Sequence, residues 1–148
     1  MVAGGYYAIA GRWSMASLIA GIPYGLGIGG LLVAKHIDQR AFDLQHHQRT
    51  LPVLIGPKHA RALCRVVLVA MYVLVFAGVA VRLLPHPALV IVTAVPRASR
   101  SWGILSRPAP EAPPPGFVGW PLWFHRALLK HTRAFGWLLI LGLAIGAA

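Results

Sequence analysis

Apolar residues along this chain come in long blocks rather than in the short periods of a soluble domain. The uncharged stretch from Ser14 to Ala34 is long enough for the roughly 20 residues that a helix needs to cross a bilayer. It is rich in small residues, and Gly21 and Gly25 have the GxxxG spacing that lets two helices approach closely. Pro23 predicts a kink. The run Gly25 to Gly30 has the glycine content of a phosphate loop, but it lacks the GK[ST] ending and lies inside an apolar span, so it reads as helix. Val66 to Val81 is a second uncharged run, bracketed by Arg65 and Arg82, which can snorkel to the two interfaces. A third, weaker run covers Leu83 to Val95. Pro85 and Pro87 predict a tight turn before it, and the helix is expected to continue past Pro96, kinked, to about Leu105. The last run, Phe135 to Ala148, is short at about 21 Å, so its helix is expected to begin earlier, near Leu122.

Between the third and fourth runs, residues 106–121 hold half of the twelve prolines and read as a stiff loop. No basic cluster precedes the first apolar run and no clear cleavage pattern follows it, so this run is expected to be a membrane helix rather than a signal peptide. No internal repeat is visible. The sequence thus predicts an all-α, polytopic membrane bundle of about four transmembrane helices, a single membrane domain over residues 1–148.

Composition sharpens this picture. Apolar residues make up 57% of the 148 and charged residues 11%, against a norm of roughly 25% charged, which excludes an ordinary soluble globule and a disordered tail. The net charge of +11 would suit nucleic acid, but with so few charges in so apolar a chain the partner expected is the lipid bilayer, not nucleic acid. Cys64 is the single cysteine, so neither an intrachain disulfide nor a multi-cysteine metal site can form. Of the 14 basic residues, all but Arg12 and Arg82 fall in Lys35–Arg65 or Arg97–Arg133. The positive-inside rule then makes 35–61 and 106–121 cytoplasmic loops of a protein in the cell membrane.

The first of these loops carries the candidate chemistry. It runs Lys35-His36-Ile37-Asp38-Gln39-Arg40-Ala41-Phe42-Asp43 and on through Arg49-Thr50-Leu51-Pro52-Val53-Leu54-Ile55-Gly56, and it holds two of the three acids in the chain. Carboxylates beside cations suit a magnesium-bridged phosphate ligand, with oxygens for the hard metal and Lys or Arg for the remaining charge. The same spacing also suits a helix end at which Asp38 and Asp43 pair with Arg40 and Lys35; from the residues alone both readings stand. His46 and His47 lack an evident third ligand for a transition metal. Further on, Arg126, Lys130 and Arg133 recur on one helical face with Trp120 and Trp123 nearby, which predicts an interfacial start to the last helix or a basic stripe closing over a diphosphate.

The loop resembles the second aspartate-rich region of the UbiA superfamily of intramembrane prenyltransferases. Arg49-Thr50-Leu51-Pro52-Val53-Leu54-Ile55-Gly56 matches the G-x-R-T-L-P-V-x-x-G tail, and Lys35-His36-Ile37-Asp38 resembles the K-H-I-D start of an actinobacterial-type branch. Pro121-Leu122-Trp123-Phe124 and His131-Thr132-Arg133-Ala134-Phe135-Gly136 resemble that branch near its last helix. The pattern departs from the family in places: Gln39 stands where one acid is usual, Leu44 where Arg is usual, and His47 where Gly is usual. The first N-D-x-x-D motif is absent.

The resemblance implies the last part of a nine-helix enzyme that transfers a prenyl group from a prenyl diphosphate to an acceptor, often aromatic, with Mg2+ as cofactor. On it, Asp43 and Asp38 are the catalytic metal ligands, and Lys35 and Arg49, then Arg40, contact the diphosphate. With one motif of two, the chain is expected to be inactive alone and to work with a separate N-terminal half; the start at Met1-Val2-Ala3-Gly4-Gly5-Tyr6-Tyr7 resembles the end of a preceding helix. The alternative is a non-catalytic four-helix membrane protein of this descent that binds a partner or a polyprenyl phosphate.

Overall fold

The computed structural model describes residues 2–147, and among them there is no strand. Helix α1 covers Val2–Ala10 and a short turn leads to α2, Met15–Asp38. Ser14 starts α2: its side-chain oxygen accepts from the Ser17 amide at 3.4 Å, and the Ser17 hydroxyl donates to the Ser14 carbonyl at 2.7 Å. The helix runs unbroken past Pro23 and one turn beyond Ala34. Lys35 in its last turn suits the negative end of the helix dipole.

The segment expected as a loop over 35–61 is mostly helical. Lys35 to Asp38 finish α2, α3 occupies Arg40–Gln45, and α4 begins at Leu51 and runs to Ala80. His36 and Thr50 both bond the Asp43 side chain, which folds the segment back on itself between the helices. Helix α4 is broken once, at Gly56 (φ 80°, ψ 158°). An L side chain pays about 1–3 kcal/mol in such a region, so glycine is required there. Pro57 then restarts the helix at a position where its missing N–H is no loss. The Thr-Leu-Pro-Val-x-x-Gly stretch is therefore one helical turn, a break and the start of a long span, and the second apolar run lies inside that span.

After α4, Arg82 takes a left-handed φ of 59° and Pro85 leads into a 3-10 helix, His86–Ala94. This passes directly into α5, Val95–Leu105, with Pro96 in its first turn. The third pass is thus a composite of two helix types, about 34 Å long in all, rather than a kinked α-helix. Residues 106–122 contain no helix, in keeping with their prolines, and α6 covers Trp123–Ile145 with Leu122 as its N-cap residue.

Helices α2, α4 and α6 are long and apolar enough to cross a membrane. They are three where about four were expected; the composite of the 3-10 helix and α5 is not among them, and α5 carries Arg97, Ser99, Arg100 and Ser101. Large apolar side chains such as Val66, Trp137 and Ile140 face outward, a surface that suits hydrocarbon better than water.

Helix α2 packs on α4, and α6 lies against α2 and the 3-10 segment. The close approach in α2 is made by Gly27 and Gly30, not by the Gly21–Gly25 pair. A Cβ on Gly27 would sit 2.7 Å from Met71 Cε, and one on Gly30 would sit 3.0 Å from Val67; Gly25 faces open space and Gly21 meets only Val2 of α1. The core has two layers. One joins Ala34, Ile37, Cys64, Leu105, Phe124 and Leu128; the other joins Met71, Val75, Ile91, Phe135 and Leu139. The first layer lies beneath the end of the bundle where α2 and α5 finish and α4 and α6 begin. Arg12 and Arg82 lie at the other end, where Gly78 of α4 meets Ile19 of α2.

Candidate functional site

Asp43 is the centre of the segment that joins α2 to α4. It is 2% exposed, an unusual position for a carboxylate. Burial is made tolerable by two hydrogen bonds that converge on Oδ2: His36 Nδ1 donates at 2.9 Å and the Thr50 hydroxyl at 2.8 Å. The backbone closes around it, with the Gln48 amide donating to the Asp43 carbonyl at 2.8 Å. Burial pushes the Asp43 carboxyl upward, but the bonds from Thr50 and His36 and the charges of His36 and Lys35 outweigh it and hold the group below its ordinary value of 3.8. It is therefore an ionised carboxylate at neutral pH.

Asp38 is used differently. Its Oδ1 accepts from the Phe124 amide at 3.1 Å and its Oδ2 from the His125 amide at 2.9 Å. Leu122 makes no side-chain cap, so the carboxylate at the end of α2 caps the start of α6 from across the bundle. Lys35 is half-buried on the last turn of α2, Arg40 Nε donates to the Pro52 carbonyl at 3.3 Å, and Arg49 is exposed. The pairing of Asp38 and Asp43 with Arg40 and Lys35 is not found. The one ion pair among the described residues is His36–Asp43. The bent segment brings histidine rather than lysine or arginine to the buried oxygen.

His36 and Thr50 escaped the sequence reading as partners of Asp43, though each lies seven residues from it and Thr50 belongs to the matched tail. His46 stacks on Phe42 at 4.0 Å and its Nδ1 bonds the Phe42 carbonyl, so it is a local turn residue. His47 has φ 53°, a left-handed backbone. This explains why the family pattern carries glycine there. His47→Gly is expected to stabilise the protein by about 1 kcal/mol, read as a shift of the unfolding midpoint in detergent; no shift would remove the strain argument.

A metal centre needs more donors than this segment supplies. Among the described residues no three His, Cys, Asp or Glu side chains come together. Both Asp38 oxygens face helix amides, and Asp43 has Oδ1 left to offer. These residues alone therefore do not fit a magnesium site.

A second polar feature lies between α5 and α6 beneath the proline-rich loop. A cavity of about 380 Å3 is lined by Arg97, Arg100, Arg126 and Lys130, with Phe117 and Trp123 as aromatic walls. The basic stripe expected on α6 divides there: Arg126 and Lys130 face this cavity, while Arg133 lines a separate apolar groove with Tyr24 and Trp137. On α4, Arg61 lies over the Phe124 ring at 5.8 Å and Arg65 over Trp102 at 5.3 Å.

No curated protein and no solved structure matches the chain. The family model described as the UbiA prenyltransferase family matches residues 1–129, which takes in the Asp43 segment, the composite pass and the start of α6. With three helices fit to cross a membrane and a match over most of its length, this is a membrane protein of prenyltransferase type, and the chain belongs to the UbiA prenyltransferase family.

Proposed function

We propose that this chain is the portion of an intramembrane prenyltransferase that carries the second carboxylate segment, and that it acts in moving a prenyl group from a prenyl diphosphate to an acceptor, often aromatic. The observation that carries this reading is Asp43: a buried, ionised carboxylate, fixed by His36 and Thr50, on a segment with Lys35, Arg40 and Arg49. An ionised carboxylate held in this way supports a bound cation at its remaining oxygen, and the basic side chains suit the diphosphate. Magnesium belongs to this reading only as an ion that Asp43 shares with carboxylates from another segment, because the residues here do not fit one alone. Asp38 serves the site through position, by tying the end of α2 to the start of α6.

A second reading is favoured by the scarcity of donors: a non-catalytic member of the family that binds a partner or a polyprenyl phosphate. Incorporation of radiolabelled prenyl groups from prenyl diphosphates into an extractable acceptor separates the two. Product formed by the chain together with an N-terminal half supports the first, and binding of the diphosphate with no product supports the second.

The segment is placed on the cytoplasmic face of the cell membrane in this reading, from the distribution of basic residues. A His46→Cys variant should resist membrane-impermeant thiol reagents in intact cells and react after permeabilisation. Cys64 is fully buried and should stay silent. Labelling in intact cells would reverse the orientation.

A further inference from the structure

The cavity between α5 and α6 has charges that the rest of the chain does not balance. Arg97 and Arg100 are on one face of α5, one turn apart, and Arg126 and Lys130 are on the facing side of α6. The Ser101 hydroxyl donates to the Ala127 carbonyl at 3.0 Å, which fixes the two helices against each other at the level of the cavity. The chain has three acidic residues. Asp38 faces the α6 amides, Asp43 faces His36 and Thr50, and Glu111 is exposed in the proline-rich loop. None of the four cations forms an ion pair among the described residues.

The site is also built rather than incidental. Arg126 is held by its hydrogen bond to the Val118 carbonyl and by the Phe117 ring, whose centroid lies 5.2 Å from the guanidinium carbon. Phe117 in turn packs on Trp123 at 5.1 Å. These contacts position the guanidinium without neutralising it. His131 lies at the inner end, fully buried, with Nε2 bonded to the Tyr72 hydroxyl at 3.0 Å and Nδ1 unpartnered. Four cations gathered around one cavity with no carboxylate among its lining residues call for a ligand that supplies the opposite charge.

We infer that this cavity is an anion site that takes a phosphate group directly on Arg97, Arg100, Arg126 and Lys130, without a metal ion and apart from the Asp43 segment. Planar guanidinium groups present paired donors that match phosphate oxygens, and a lysine adds a point charge. Two or more negative charges on the ligand suit four cations better than a single carboxylate does. The phosphate can belong to an anionic lipid headgroup or to a free phosphate compound. The inference does not rest on prenyl transfer, and its test does not measure it.

The test uses the full chain in phosphatidylcholine nanodiscs, with EDTA present throughout. In one arm inorganic diphosphate is titrated by calorimetry. In the other, phosphatidylglycerol is included in the nanodisc and its retention is read by native mass spectrometry. Binding in the first arm identifies a soluble phosphate ligand; retention in the second without binding in the first identifies a lipid headgroup. In either case an Arg100→Gln, Lys130→Gln double variant should lose at least about tenfold in affinity or retention. The charge-keeping Arg100→Lys, Lys130→Arg variant should keep most of it, and Arg12→Gln, at the other end of the bundle, should behave as wild type. If the double variant does not fold, Lys130→Gln alone, at an exposed side chain, is read in its place. Failure of wild type to bind either probe overturns the inference. So does a glutamine variant that binds as wild type, or an Arg12→Gln variant that loses as much.

Discussion

Asp43→Asn is expected to reduce prenyl transfer by about two to three orders of magnitude in an assembly that supports it, with the fold retained. Asparagine keeps the shape and an oxygen that can accept from Thr50, but it removes the negative charge. On the proposed function a cation shared with carboxylates of another segment would face Oδ1 and lose its counter-charge, and each 1.36 kcal/mol of lost transition-state stabilisation is about tenfold in rate. Thr50→Val acts on the same carboxylate from the other side. It removes one hydrogen bond to a buried charge, worth about 1.5–3 kcal/mol, and lets the Asp43 carboxyl rise toward its ordinary value. The pH dependence follows from the depressed position of Asp43. The stability it contributes is fully present above the ordinary value of 3.8 and is lost as pH falls through the lower folded value. Unfolding midpoints should therefore be insensitive to Asp43 between neutrality and the carboxylate range. An Asp43→Asn assembly with undiminished turnover would remove this residue from the site.

Asp38→Ala is expected to cost about 2 kcal/mol in stability and to fray the first turn of α6. The reason is the cap: two backbone amides, those of Phe124 and His125, lose the side chain that meets them. Because Trp123, Arg126 and Lys130 of α6 line the cationic cavity, fraying there would disturb it. Asp38→Asn should cost distinctly less, since its carbonyl oxygen still accepts from one amide. Amide hydrogen exchange at Phe124 and His125 reads this directly, with fast exchange expected in the alanine variant and intermediate exchange in the asparagine variant. Unchanged exchange in the alanine variant would show that α6 is held by packing alone. The contrast also separates the two aspartates: loss of charge should matter most at 43, and loss of the hydrogen-bond acceptor at 38.

The membrane-crossing parts of the fold were legible because length and lack of charge are one-dimensional properties. Ser14 as the start of α2 follows from where the first apolar block begins, and Leu122 as the start of α6 from the last block being too short to cross alone. The composite third pass was legible in extent but not in kind. Pro85, Pro87 and Pro96 marked a turn and a disturbance, yet the 3-10 winding between them depends on how His86–Ala94 packs against α6. The Asp43 segment reads as a loop in the sequence because its polar and basic residues interrupt two apolar runs. In fact helix covers Lys35–Asp38, Arg40–Gln45 and Leu51 onward, and the chain turns at Gln39, at residues 46–50 around His47, and at Gly56. GxxxG spacing chose Gly21 and Gly25, whereas contact chose Gly27 and Gly30, since spacing does not say which face of α2 meets α4. Asp43 and Asp38 were found by their rarity in a chain with three acids. What divided their roles, the bond from His36 on one side and the α6 amides on the other, arises only when distant residues meet. The cavity between α5 and α6 was hidden for the same reason: Arg97 and Arg100 looked like part of a charge bias along the chain until the fold set them opposite Arg126 and Lys130.

One measurement tests the central claim most directly: a magnesium-dependent prenyl-transfer assay on the purified chain, alone and co-expressed with an N-terminal half that carries the other aspartate-rich motif, in wild-type and Asp43→Asn forms. The account predicts no turnover by the chain alone, turnover by the wild-type pair, and loss of that turnover in the Asp43→Asn pair. Robust turnover by the chain alone, or a fully active Asp43→Asn pair, would contradict it.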